Sequence, residues 1–276
     1  MDIPLDFAVP QIISFMLVAT RLSGLFLIAP VFSSPMIPAR VKLMIMLVLA
    51  ATLTPVVGQG MDNVPMDLVP LILAMTVELL IGFALGFTVS IVFTAIQVGA
   101  SMIDTSIGFS MANIVDPLNN VQASVLGSFY SIIATLAFLS VNGHHWLLTG
   151  FKRSFEQVPL GAVPDIERMM ANVFQTFASL FAMAFQIAAP VLVTLLLVDV
   201  VLGIVSRVVP QMNVFFVGIP LKIGVGLVAV IISLPTFTGF IQHRVNDIVS
   251  GATVLAGVMD DREPGEVTSA HGRAGE

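Results

Sequence analysis

The sequence predicts an all-α integral membrane protein, and three observations predict it. Of 276 residues, 57% are hydrophobic and only 10% charged, with a mean hydropathy of +1.01. Water-soluble domains carry about 25% charged residues, so most of this surface cannot face water. Four windows, 79–103, 117–151, 169–198 and 223–243, contain no Asp, Glu, Lys or Arg. Each is long enough to cross a hydrocarbon core, which takes about 20 helical residues. Finally, Pro and Gly cluster between the apolar runs, where they act as helix stops.

The apolar segments run over 12–32, 43–57, 68–98, 121–141, 173–205 and 214–240. Asp2 and Asp6 precede the first, with no Lys or Arg before it. A cleavable signal peptide starts with positive charge, so this segment is expected to remain as structure. Ser33-Ser34-Pro35 and Ile37-Pro38 break the first connection, and Gly58-Gln59-Gly60 opens the second. Asp116-Pro117-Leu118-Asn119-Asn120 ends the third, and Val209-Pro210-Gln211 ends the fifth. Segment 43–57 is short for a crossing. Segment 68–98 would be about 46 Å long at 1.5 Å per residue, against a hydrocarbon core of roughly 30 Å. Steep tilt absorbs some of that excess; long helices packed inside a protein assembly explain it equally well.

Loop charges give no simple topology. Six alternating spans with Arg40 and Lys42 inside leave Lys152, Arg153 and Arg168 outside. Returning the segment 104–120 to its own side repairs that loop but puts Arg207 and Lys222 outside. The number of spans stays open. Beyond Asp260 the chain becomes acidic and Gly-rich without an apolar period, the composition of a disordered tail.

Composition also excludes functions. With no cysteine, disulfides, thiolate metal sites and cysteine nucleophiles are ruled out. The net charge of −6 is inflated by the tail, and no basic patch for nucleic acid exists. Gly108-Phe109-Ser110-Met111 begins like a nucleophile turn, and His144 and His145 follow later. The second glycine of that turn is missing, and so is any His-Glu-x-x-His zinc motif. Gly224-Val225-Gly226 lacks the third glycine and the setting of a dinucleotide site. No catalytic residue, metal or cofactor is expected. His144 and His145 beside Trp146 read as polar residues at a membrane boundary.

Three features could carry function. Arg21, Glu78, Asp104, Asp199, Arg207 and Lys222 are ionisable groups within apolar runs. A charge in hydrocarbon costs several kcal/mol unless it finds a partner or water. Arg207 and Lys222 flank the Pro210 turn, where reaching to the interface explains them as well as function does. Glu78 and Asp199 sit deeper, and pairing of Glu78, Asp199 and Lys222 with protein groups is expected. Gly82 and Gly86, continued by Ala95 and Gly99, have the spacing that lets helix backbones approach. The stretch 100–120 mixes Ser101, Thr105, Ser106 and Ser110 with Met102, Met111, Phe109 and Gly108. It is too polar for lipid and too apolar for an exposed loop. Irregular backbone at membrane depth is tolerated only within protein or beside a water-filled cavity, and methionine fills irregular gaps. A buried structural turn and a yielding plug both fit.

Several stretches resemble the FliR family, shared by flagellar and virulence type III secretion systems. Arg21-Leu22-Ser23-Gly24, Ala29-Pro30-Val31-Phe32 and Ile37-Pro38-Ala39-Arg40-Val41-Lys42 look like its opening pattern. Ile96-Gln97-Val98-Gly99, Ile103-Asp104, Gly108-Phe109 and Asp116-Pro117 follow in order, then Asn142-Gly143-His144-His145 and Ser154-Phe155 with Pro159. The strongest stretch is Arg207-Val208-Val209-Pro210-Gln211-Met212-Asn213-Val214-Phe215, followed by Gly218-Ile219-Pro220-Leu221-Lys222.

The resemblance implies long kinked helical hairpins: a FliP-like helical portion over 1–168, a FliQ-like hairpin over 169–257, and the tail at 258–276. It implies a non-enzymatic subunit of the flagellar export gate in the bacterial inner membrane, within the basal body. FliP-like, FliQ-like, FlhB-like and FlhA-like proteins would be its partners, with the lipid bilayer around them and unfolded export substrates passing through. The family's pore-blocking loop falls on 108–120 here, so that Phe109, Met111, Ile114 and Val115 would form the seal and Gly108 the hinge. The rival is a self-contained secondary transporter of a small solute, which should show two matched repeats. Ala29-Pro30-Val31 and Ala189-Pro190-Val191 are its only echo.

Overall fold

The computed structural model describes residues 5–57, 67–109, 124–211 and 213–255. All regular structure among them is helical, as the composition predicts. The helices are α1 (Leu5–Ile28), α2 (Ala39–Val57), α3 (Leu68–Ile107), α4 (Val125–Ser140), α5 (Gly143–Gln157), α6 (Ile166–Val208) and α7 (Val214–Leu255). Five of them are long and apolar enough to cross a membrane, or six spans if the bent pair α4–α5 counts as one.

Helix α3 is the axis of the fold, packing against α1, α4, α6 and α7. Its 40 residues would reach about 60 Å, twice a hydrocarbon core. Helices α6 and α7, with 43 and 42 residues, are as long and form an antiparallel hairpin around the turn at Pro210. The core lies along both sides of α3, where Leu17, Leu22, Ile96, Ile103, Tyr130, Val191 and Leu195 are buried. Helix α2 packs on α1 and α5 and buries only Ala50, leaving Val41, Leu43, Met44 and Val48 exposed. Apolar surface on that scale requires lipid or a partner around it.

The structure departs from the sequence reading in its boundaries. The apolar run expected to end at Val98 continues as helix to Ile107. Ser101 donates to the Val98 carbonyl (2.8 Å) and Thr105 to the Ser101 carbonyl (2.9 Å), so these polar side chains are satisfied within the helix. Helix α6 begins at Ile166 rather than at the apolar residues from Val173, because the Asp165 carboxylate accepts from the Arg168 amide and caps the turn. Helix α7 reaches Leu255, past the expected end at Phe240. Helix α5 was not visible in the hydropathy at all, since its composition is mixed.

Candidate functional site

Five of the six ionisable residues within the apolar runs gather at three places. The first lies where α1 crosses α3. At Gly82 the α-carbon faces the Arg21 backbone carbonyl, with no room for a Cβ. The approach is reciprocal: a Cβ on Gly24 would lie 2.5 Å from the Leu79 carbonyl and 2.8 Å from the Phe83 nitrogen. One on Gly86 would lie 3.0 Å from the Leu25 carbonyl. Glycines make this crossing possible.

The same crossing holds a fully buried ion pair. Arg21 Nε donates to Glu78 Oε2, and neither side chain has any solvent exposure. The remaining polar atoms are also used. Arg21 Nη1 donates to Ser154 Oγ at 3.2 Å and Nη2 to the Val158 carbonyl at 3.0 Å. Gly161 N donates to Glu78 Oε1 at 3.0 Å. The guanidinium lies 4.0 Å from the centroid of the Phe155 ring, a cation–π contact. One charge pair therefore joins α1, α3, α5 and the turn after α5. Sequence reasoning singled out Arg21 and Glu78 but not each other as partners, and it missed Ser154, Val158 and Gly161. Gly161 adopts a φ of +75°, and the Pro159-Leu160-Gly161 spelling of that turn was the available signal.

The second place is the end of α3. Gly108, at φ +103°, ends the helix, and both its amide and that of Phe109 donate to the Asp104 carbonyl at 3.1 Å. The buried Asp104 carboxylate faces the start of α4. It accepts from Ser124 Oγ and from Leu126 N at 3.2 Å, while Ser124 Oγ itself accepts from Gly127 N at 2.7 Å. Asp104 thereby ties the end of α3 to the beginning of α4. Nearby, Ile107 is buried against α7, and a Cβ on Gly226 would come within 2.6 Å of its side chain. Of the expected seal, Gly108 and Phe109 are described, Phe109 packing partly buried against the core. Met111, Ile114 and Val115 lie outside the described residues, as do Ser110 and the tail from 258 onward.

The third place is the α6–α7 hairpin. Lys222 Nζ lies 2.7 Å from Asp199 Oδ1 and 3.0 Å from Oδ2. One turn further from the connection, Gly226 faces Leu195, at 3.4 Å from its projected Cβ. Further along α6, Gly99 of α3 sits against the Ala184 carbonyl, at 2.7 Å from its projected Cβ, and the neighbouring Ala95 is fully buried. Arg207 is exposed near the turn. His144 and His145 stand at the start of α5, apart from all three places. Among the described residues, no group of three or more His, Cys, Asp or Glu is placed to hold a metal ion.

The arrangement is that of a polytopic helical membrane protein whose buried charges are consumed by its own architecture. The chain belongs to family 1 of the bacterial export proteins, the family of the FliR proteins: that family's model matches residues 12–248. The chain is 37% identical to the flagellar biosynthetic protein FliR of Bacillus subtilis over 224 residues, covering 80% of this chain and 86% of that one. Against FliR of Escherichia coli it is 28% identical over 241 residues, covering 87% and 90%. Against FliR of Aquifex aeolicus it is 33% identical over 171 residues, covering 62% and 66%. Membership in an export family disfavours the small-solute transporter.

Proposed function

We propose that this chain is a non-enzymatic subunit of the flagellar type III protein export gate in the bacterial inner membrane. It helps form the pore for unfolded export substrates and plugs it with the segment 108–120. Its residues 1–168 act as a FliP-like portion and 169–257 as a FliQ-like hairpin, assembled with FliP-like and FliQ-like subunits and served by FlhB-like and FlhA-like proteins. The FliR relatives, named for flagellar biosynthesis, support the setting.

The Asp104 tie is the observation that supports a plug. A segment closing a conduit needs two fixed roots, since a chain anchored at one end sweeps a large volume and seals poorly. Asp104 holds the end of α3 beside Ser124 and Leu126 at the start of α4, so the two roots are tied to each other. Replacing 108–115 with a Gly/Ser linker tests the reading. The assembled gate should become leaky to ions; unchanged leak in a correctly assembled complex rejects the plug. Co-purification with FliP-like and FliQ-like subunits tests the assembly separately.

A further inference from the structure

Helix α5 has an outer face that the export reading does not use. Its buried side consists of Gly143, Leu147, Gly150, Phe151, Ser154 and Phe155, turned to the fold. Its outward side carries His145, Trp146, Lys152, Arg153 and Glu156, all exposed within roughly a third of the helix circumference. Neither Lys152 nor Arg153 forms an ion pair with any described residue, so two fixed positive charges face outward against one negative. That patch belongs to a chain whose net charge is −6.

The preceding helix shows what this face meets. Along α4 the large exposed residues are Val125, Phe129, Ile132, Leu136 and Leu139, an apolar stripe at helical spacing flanked by the small hydroxyls of Ser128 and Ser140. At Val141-Asn142 the chain bends by 68° into α5. At that bend the outward surface changes from an uncharged, mainly apolar stripe to Trp, His, Lys, Arg and Glu. A surface that is greasy along one helix and basic-aromatic after a sharp turn traces the boundary between hydrocarbon and headgroups.

We propose that the outer face of α5 lies in the membrane interface and selects anionic phospholipid. Trp146 sits at the level of the acyl–headgroup boundary, and Lys152 and Arg153 hold lipid phosphates. A basic helix on an acidic lipid surface gains electrostatic attraction for each Lys or Arg near it, whereas an apolar face would gain nothing from lipid charge. The inference stands on the membrane class of the fold and does not depend on the plug.

Trp146 is the only tryptophan in the chain and so reports on its own site. The full-length protein is reconstituted in nanodiscs of equimolar phosphatidylcholine and phosphatidylglycerol, with bromine on the acyl chains of one lipid or the other. Trp146 fluorescence should be quenched by both, with bromine near the carbonyl end more effective than bromine near the methyl end. Quenching should be about threefold stronger when the anionic lipid carries the label. K152Q/R153Q should abolish that preference while leaving total quenching intact, and K152E/R153E should reverse it. Trp146 open to aqueous iodide but not to brominated lipid would overturn the proposal, as would a preference that survives K152Q/R153Q. Shielding from lipid and iodide alike, in the chain bound to its partner subunits, would assign the face to a protein instead.

Discussion

Arg21 and Glu78 are 57 residues apart in the chain and pair with neither side chain exposed, one turn from the point where Gly82 meets the Arg21 backbone. The close backbone approach and the charge pair are consequences of each other. Without glycine at 82 the helices could not come near enough for a direct pair, and without the pair neither charge could stay at this depth. Because Ser154, Val158 and Gly161 complete the hydrogen bonding, the pair also fixes where α5 and its following turn lie. A buried pair of this kind adds little net stability over an apolar substitute, yet breaking one half of it is expensive.

That asymmetry gives the first prediction. Arg21→Met and Glu78→Leu alone should each destabilise the chain by about 3–5 kcal/mol, because each leaves an uncompensated buried charge. The double substitution should be much milder than either single one. Thermal unfolding of the purified chain in detergent measures all three; additive losses in the double variant would show that the pair is not coupled.

Gly82→Ala should cost about 1–3 kcal/mol, since its Cβ would meet the rigid Arg21 carbonyl and the helices would have to separate. Gly203→Ala, on a helix surface with nothing within 4 Å of the projected Cβ, should be neutral or slightly stabilising. The contrast between the two in the same unfolding assay separates steric crossing from simple helix propensity. Equal effects would remove the crossing argument.

Much of this fold was legible because hydrocarbon is a demanding solvent. A charge-free window such as 79–103 can only be a buried or lipid-facing helix, and α3 covers it. The small residues Gly82 and Gly86 could be read as packing positions, but their partner could not, because spacing along one helix says nothing about which helix approaches. Arg21 and Glu78 were readable as anomalies for the same reason, and their pairing was hidden in the separation of α1 from α3 along the chain. Helix α5 escaped notice because an amphipathic helix with two histidines and two basic residues averages to neutral hydropathy. Its glycines at 143 and 150 face the fold and further blur the signal. The extension of α3 to Ile107 was missed because Ser101, Thr105 and Ser106 look like loop residues, although the hydroxyls of Ser101 and Thr105 bond back along the helix.

Asp199 and Lys222 pose the opposite energetic case. Their side chains are 51% and 22% exposed, so in water the pair would be worth about 0–1 kcal/mol. On the outside of an apolar hairpin, either residue alone is an unpaired charge against lipid or a partner helix, which costs more. Asp199→Ala and Lys222→Ala should therefore each reduce assembly with the partner subunits and lower secretion. The exchange Asp199→Lys with Lys222→Asp should restore most of both. Normal secretion by the two alanine variants would leave the pair without a role.

On the plug reading proposed above, the tie at Asp104 gives the most direct link from one side chain to ion leak. Its carboxylate stands at the N-terminus of α4, where free amides and the helix dipole both favour a negative group. Losing such a cap costs about 0.5–2 kcal/mol, too little to unfold a chain this large but enough to free the first turn of α4. Asp104→Asn keeps an acceptor for Ser124 and Leu126 and loses only the charge; Asp104→Ala loses both. Ion leak through the assembled gate should therefore rise from the parent to Asn and further to Ala. Hydrogen exchange at the amides of Leu126 and Gly127 should accelerate in the same order, while the amides around Arg21 stay protected. Exchange that accelerates without any leak would mean that Asp104 secures α4 alone. Leak that rises without faster exchange would place the seal's dependence on Asp104 somewhere other than the root of α4.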